Sequence, residues 1–168
     1  MNPPCDWLVA NRHFLPRAGE ALDLASGSGR HAIWLAASGL MTTAVDRDGR
    51  AMELLRQEAA RRGLPIAVRV VDLENGSPFP EPDSFDVIVG VHYLHRPLFP
   101  ALVAALRPRG VLVYETFTRA QAARGKPTNP AFLLEPGELA QLVRPLDILA
   151  YREGDFDGRM VASVIACR

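Results

Sequence analysis

The stretch Glu20-Ala-Leu-Asp-Leu-Ala-Ser-Gly-Ser-Gly-Arg-His31, followed by Thr43-Ala-Val-Asp46, constrains this chain more than any other part of it. It reads as a strand, a glycine loop, a helix and a second strand with an acidic end. Gly27 and Gly29 allow a tight turn and close backbone approach to a ligand, and Asp46 stands where a carboxylate accepts both hydroxyls of a ribose. An exposed turn aspartate is the plain alternative for Asp46. The joint spacing of Asp23, Gly27, Gly29 and Asp46 favours ribose, and with it a nucleoside cofactor.

Two glycines do not by themselves choose the cofactor. Gly27-Ser28-Gly29-Arg30-His31-Ala32 also fits the looser nicotinamide-dinucleotide pattern. Asp23 separates the readings: it sits inside the first strand, four residues before Gly27, where its carboxylate can accept bonds from loop amides and a ligand ammonium. A dinucleotide site has no comparable need for it.

Apolar strand-like runs then alternate with helical patterns, the signature of a parallel sheet covered on both faces. Strands are predicted at Ala21–Ala25, Met41–Val45, Ile66–Val71, Phe85–Gly90, Gly110–Phe117, Asp147–Tyr151 and Met160–Ala166. Helices are predicted at Arg30–Ser38, from Asp48 as cap to Gly63, at Leu98–Leu106 behind Pro97, and at Gly137–Val143. Residues 1–19 are a lead-in to a single domain spanning 1–168, and Glu74–Asp83 is a loop. Residues 119–136, with Arg119, Arg124, Gly125, Lys126, Pro127, Asn129 and Pro130, form an irregular excursion suited to covering a substrate.

At this point the chain resembles the class I S-adenosylmethionine-dependent methyltransferases, whose first motif is roughly Asp/Glu-x-Gly-x-Gly-x-Gly and here reads Asp23-x-Ala25-x-Gly27-x-Gly29. Ala25 replaces the first glycine: harmless at negative φ, strained if the loop demands a positive one. Gly29-Arg30-His31, Tyr93-Leu-His-Arg-Pro97, Tyr114-Glu-Thr-Phe117 and Phe132-Leu-Leu-Glu-Pro-Gly-Glu-Leu139 are similar to a group of small bacterial methyltransferases related to the tellurite-resistance type. The resemblance spans residues 20 to 168. It implies a Rossmann-like, doubly wound α/β fold with a seven-stranded sheet, helices on both faces and a final antiparallel strand.

The resemblance further implies S-adenosyl-L-methionine as methyl donor and S-adenosyl-L-homocysteine as product. Asp23, Ala25, Gly27 and Gly29 are expected on the methionine and ribose side. Asp46 and Arg47 then follow, with Asp72 and the Leu73 amide at the adenine and the backbone from Gly90 and Val91 to His92 at the methionine part. A surface aspartate starting a turn is the less favoured alternative for Asp72, and Arg47 could equally be solvated.

Methyl transfer from a sulfonium is an in-line displacement in which positive charge disappears, so alignment in a dry pocket supplies much of the acceleration. A hydroxyl or amine acceptor needs a general base as well. His92 and Tyr93, after the fourth strand, are the catalytic candidates; packing or capping is their plain alternative. Tyr114 and Glu115 are secondary candidates, of which strand alternation turns only one to a given face. Trp7, Phe14, Phe117 and Phe132 are candidate apolar walls. His92-x-x-His95 suggests a metal, yet no further ligand accompanies it, and none is expected.

Nineteen basic and nineteen acidic residues cancel, which disfavours a general nucleic-acid binder or an anionic membrane as partner. Eighteen of the basic residues are arginine, a bias that base composition explains. Cys5 and Cys167 lack metal or redox spacing, and no apolar run is long enough to span a membrane. A cytoplasmic enzyme acting on a small molecule is therefore expected. An NAD-dependent oxidoreductase, and a non-catalytic cofactor-binding subunit completed by a partner or a second copy, are the alternatives.

Overall fold

The computed structural model describes residues 2–76 and 78–168; Met1 of the lead-in and Ser77 of the 74–83 loop lie outside the described residues. Seven strands form one sheet: β1 (Glu20–Leu24), β2 (Met41–Asp46), β3 (Ile66–Val70), β4 (Phe85–Val91), β5 (Leu106–Phe117), β6 (Asp147–Phe156) and β7 (Arg159–Cys167). Their order is β3-β2-β1-β4-β5-β7-β6. All neighbouring pairs run parallel except those of β7, which is antiparallel to both β5 and β6. The fold is the doubly wound one expected from the sequence.

Alternation along the strands divides the core. Leu22, Leu24, Ile88, Leu112 and Tyr114 face α4 (Phe99–Ala105) and α5 (Glu138–Leu142). Ala21, Val87, Val89, Val111 and Val113 face the opposite way, toward α1 (Asp6–Ala10) and α2 (Arg30–Ala37). On that same side Ala44 of β2 meets Ala32 and Ile33 of α2 and Met52 and Leu55 of α3 (Gly49–Arg62). Asp48 caps α3 by accepting the amides of Arg50 and Ala51, and Gly63 ends it at φ 63°.

Three elements differ from the sequence expectation. Residues 1–19, expected only as a lead-in, contain α1 and a 3-10 turn at Arg12–Phe14, because Leu8 and Leu15 bury against β4 and β5. The fifth strand begins at Leu106 rather than Gly110; Arg109 at φ 67° lets the chain pass Pro108 and Gly110 through an irregularity in the β4–β5 register. The final hairpin is longer at both strands, since Arg152–Phe156 and Arg159 also pair across the Asp157-Gly158 turn. Among the described residues no helix is long and apolar enough to cross a membrane.

Candidate active site

The strand order reverses between β1 and β4, so their connections leave on opposite sides and open a crevice at the carboxyl ends of the strands. A cleft of about 760 Å³ occupies this place. Ala25, Asp46 and Arg47 line it from the ends of β1 and β2, and Val71 to Glu74 from the end of β3. His92, Tyr93 and Leu94 follow β4, Thr116 and Phe117 end β5, and Lys126 to Asn129 with Phe132 complete the wall.

The loop after β1 is held by its own side chains. Asp46 accepts the Gly27 amide on Oδ2 at 2.9 Å and the Asp48 amide on Oδ1 at 2.9 Å. Each carboxylate oxygen still has capacity for a second donor, which is what a ribose diol supplies. Ala25 stands at φ 48°, so the positive-φ alternative is the one realised and its Cβ carries the strain. Gly27 at φ 51° has open space where a side chain would be, whereas a Cβ on Gly29 would meet Leu55 at 2.3 Å.

Asp23 lies beneath this loop, fully buried, and accepts the Ala32 amide in the first turn of α2 on Oδ2 at 2.9 Å. Its Oδ1 is buried without a partner among the described residues, and burial pushes the carboxyl up to about 7. His31 sits 3.8 Å away, beyond hydrogen-bond range. Burial, aided by Arg30 and His92, pushes the His31 imidazole down to about 3, and its Nε2 accepts the Cys5 amide at 3.2 Å.

Asp72 lines the cleft while its Oδ1 accepts the Glu74 amide at 2.9 Å, forming a tight turn. Leu73 lines the same wall. Gly90 and Val91, by contrast, stay inside β4, buried and paired with Tyr114 and Glu115. Gly90 is small for another reason: a Cβ there would lie 2.4 Å from the Tyr114 ring.

His92 adopts φ 58°, its amide donates to the Glu115 carbonyl at 2.8 Å, and its ring stacks on Phe117 with centroids 4.6 Å apart. Its Nε2 is buried without a partner among the described residues, and burial lowers the imidazole's proton affinity, partly opposed by Glu115. A non-glycine residue in the left-handed region, held by a stack and an amide bond, is the kind of local strain found at sites that position a side chain. Tyr93 is turned differently. Its hydroxyl donates to Glu74 at 3.4 Å, toward the β3 side, and burial followed by Glu74 raises its pKa, so it stays a phenol rather than a base.

Alternation separates the other candidates. Tyr114 is fully buried in the core and donates to the Tyr93 carbonyl at 2.8 Å. Glu115 turns to the opposite face, where it accepts from Ser163 at 2.5 Å, Cys5 at 3.1 Å and Arg152 at 3.1 Å. Burial raises the Glu115 pKa, but those three donors outweigh it and hold the carboxyl below its ordinary range. Burial and then Glu115 push the Cys5 thiol up to about 12. Glu115 and His92 border a second cleft of about 160 Å³, so His92 forms a wall common to both.

Of the four aromatic candidates, Phe117 and Phe132 line the main cleft; Trp7 lies under the Arg152 guanidinium at 4.7 Å and Phe14 packs on the core. The Cys5–Glu115–Arg152 cluster was not visible in the sequence, because its members are 110 and 37 residues apart. Among the described residues no three His, Cys, Asp or Glu side chains converge as a metal site.

The family model described as a methyltransferase domain matches residues 21–110. Solved structures share the fold. TehB from Haemophilus influenzae superposes with a TM-score of 0.80 at 18% identity over 97% of this chain, which spans 61% of TehB. An S-adenosylmethionine-dependent methyltransferase from Mesorhizobium loti gives 0.77 at 19% identity over 98% of this chain and 99% of that one. The [4+2]-cyclase SpnF gives 0.76 at 17% identity over 96% of this chain and 78% of its own. At these identities the likeness is one of fold. No protein of curated function matches in sequence.

Proposed function

Because the chain belongs to the methyltransferase-domain family, we propose that it transfers a methyl group from S-adenosyl-L-methionine to a small-molecule acceptor and releases S-adenosyl-L-homocysteine. The observation that carries this reading is continuity: Ala25, Asp46, Asp72 and Leu73 share one cleft with His92 and Phe117. Nucleoside-binding chemistry thus opens directly onto a neutral imidazole and an apolar wall.

The residues present fit the cofactor. Asp46 has spare acceptor capacity for the ribose hydroxyls, Asp72 for the adenine amino group, and the orphaned Oδ1 of Asp23 marks unfilled polar capacity under the methionine side of the loop. The cofactor supplies a methyl group activated by a sulfonium leaving group. The chain would align the acceptor against Phe117, exclude water with the 126–132 wall, and offer His92 to take the acceptor's proton. Stacking on Phe117 fixes the His92 ring for that transfer.

Calorimetric titration with S-adenosylmethionine, S-adenosylhomocysteine and NAD, with Asp46→Ala as control, tests the reading. Saturable binding of the first two, weakened roughly tenfold or more by the substitution, supports it. Binding of NAD alone overturns it in favour of an oxidoreductase. Turnover with any thiol, amine, hydroxyl or chalcogen acceptor then separates an enzyme from a cofactor-binding subunit.

A further inference from the structure

Lys126 is the only lysine among nineteen basic residues, and it lines the main cleft. The other cations of the same segment are neutralised: Arg119 pairs with Glu135 at 2.6 Å and Arg124 with Asp155 at 2.5 Å. Lys126 has no such carboxylate among the described residues. Its side chain is exposed, and its backbone is anchored. The buried Gln121 donates to the Lys126 carbonyl at 3.2 Å while its own Oε1 accepts the Met160 amide at 2.9 Å, anchoring the segment to β7.

Charge is divided across the cleft. The carboxylates of Asp46, Asp72 and Glu74 all stand at the ends of β2 and β3, on the nucleoside side. Among the described residues, the opposite side, formed by His92, Thr116, Phe117 and the 126–132 segment, contains no carboxylate, and Lys126 is its only full charge. Phe132 belongs to the same wall and is 48% exposed. Arg47 balances part of the acidic side, whereas the exposed Lys126 stands alone on its own side, so an anionic group entering the cleft meets least repulsion and one unpaired cation there. Apolar walls on both flanks favour a ligand with an apolar body over a strongly hydrated inorganic anion.

We propose that the acceptor is a small organic carboxylate, its charge taken by Lys126 and its apolar body held between Phe117 and Phe132. This assignment of substrate class rests on the methyltransferase reading of the cleft. Lysine supplies three rotatable donors on a flexible stem, suited to a carboxylate whose exact position varies with the acceptor.

The test is calorimetric titration of the S-adenosylhomocysteine-loaded chain with benzoate, 4-hydroxybenzoate, phenylacetate and hexanoate, each beside its neutral amide, and with inorganic phosphate. Wild type, K126Q and K126R are compared. Expected is binding of at least one acid about tenfold tighter than its amide, loss of that preference in K126Q, and its recovery in K126R. S-adenosylhomocysteine itself should bind all three within about twofold. As the sole lysine, Lys126 also gives a direct readout, its acetylation by acetic anhydride slowing when the preferred acid is present and not when its amide is. Equal binding of acid and amide, an unchanged preference in K126Q, phosphate binding as well as the acids, or no binding of any acid overturns the proposal. Failure of S-adenosylhomocysteine to bind overturns it together with the reading beneath it.

Discussion

Asp23 Oδ1 and His31 Nδ1 face each other 3.8 Å apart, too far for a hydrogen bond, inside a region where neither side chain meets solvent. Between about pH 3 and pH 7 burial holds both groups neutral, the acid by keeping its proton and the imidazole by losing one. Folding raises Asp23 from 3.8 to about 7 and lowers His31 from 6.5 to about 3.

The linkage signs follow from those shifts. Asp23 is protonated in the folded chain and ionised in the unfolded one between about pH 4 and 7, so its contribution to stability falls as pH rises through that window. His31 is neutral when folded and charged when unfolded below about pH 6.5, so its contribution falls as pH drops. The two slopes oppose each other between about pH 4 and 6.5. In Asp23→Asn the opposing slope is gone and those of His31 and His92 remain, of one sign: urea midpoints should climb with pH to about 6.5, then level off, and exceed wild type at pH 8. Identical midpoint profiles for the two proteins would contradict the assignment.

Ala25 carries left-handed strain of roughly 1–2 kcal/mol, which glycine removes while costing roughly 0.5–1 kcal/mol in chain entropy. Ala25→Gly should therefore stabilise the chain by about 1 kcal/mol or less, and Ala25→Val should destabilise it by more than 1 kcal/mol, approximately, because a β-branched side chain tolerates that backbone worst. Guanidinium unfolding of the pair decides it, and a destabilised Ala25→Gly is the adverse result.

A methyl group on Gly90 has nowhere to go, because Tyr114 is fixed both by full burial and by its bond to the Tyr93 carbonyl. Gly90→Ala should cost about 1–3 kcal/mol. The double variant Gly90→Ala/Tyr114→Leu should cost less than the two single losses added together, which thermal unfolding of the full cycle measures.

Arg96 holds the segment over the cleft from below: it pairs with Glu138 at 2.5 Å and donates to the carbonyls of Ala131 at 3.1 Å and Leu133 at 2.9 Å. Arg96→Ala should free residues 124–132 without unfolding the sheet. Tryptic cleavage after Arg124 should accelerate severalfold while the melting temperature falls by only about 2–4 °C. Unchanged cleavage would mean the segment is secured elsewhere.

Once an acceptor bearing a transferable proton is in hand, His92→Asn separates positioning from proton transfer, since asparagine tolerates φ 58°. kcat should fall by about 10²–10⁴ and the acid limb of its pH profile, lying below the ordinary histidine value because burial lowers His92, should vanish. A lowered kcat with the limb intact would assign the proton to another group.

Much of this was legible in the chain. The strand–loop–strand spacing placed Asp46 and Ala25 at the cleft, and period-two alternation foretold that Tyr114 and Glu115 would part. The motif could not show that Tyr114 leaves no room for a side chain at Gly90, because that constraint comes from a residue 24 positions away. Nor could it orient Tyr93 toward Glu74, which depends on where the irregular 74–83 loop lies. The N-terminal helix escaped notice because five residues carry too little periodicity; its burial against β4 and β5 decides its conformation.

The order β3-β2-β1-β4-β5-β7-β6 divides the sheet into two blocks that are each continuous in sequence, residues 20–70 and 85–167, joined along β1 and β4. The main cleft straddles that seam, taking Asp46 and Asp72 from one side of it and His92 and Phe117 from the other. A molecule bound there acts as a clasp between two locally assembled halves. It recognises only chains in which both have docked, so at a hundredfold excess over its Kd it adds about 2.7 kcal/mol to the cooperative unit rather than to either half.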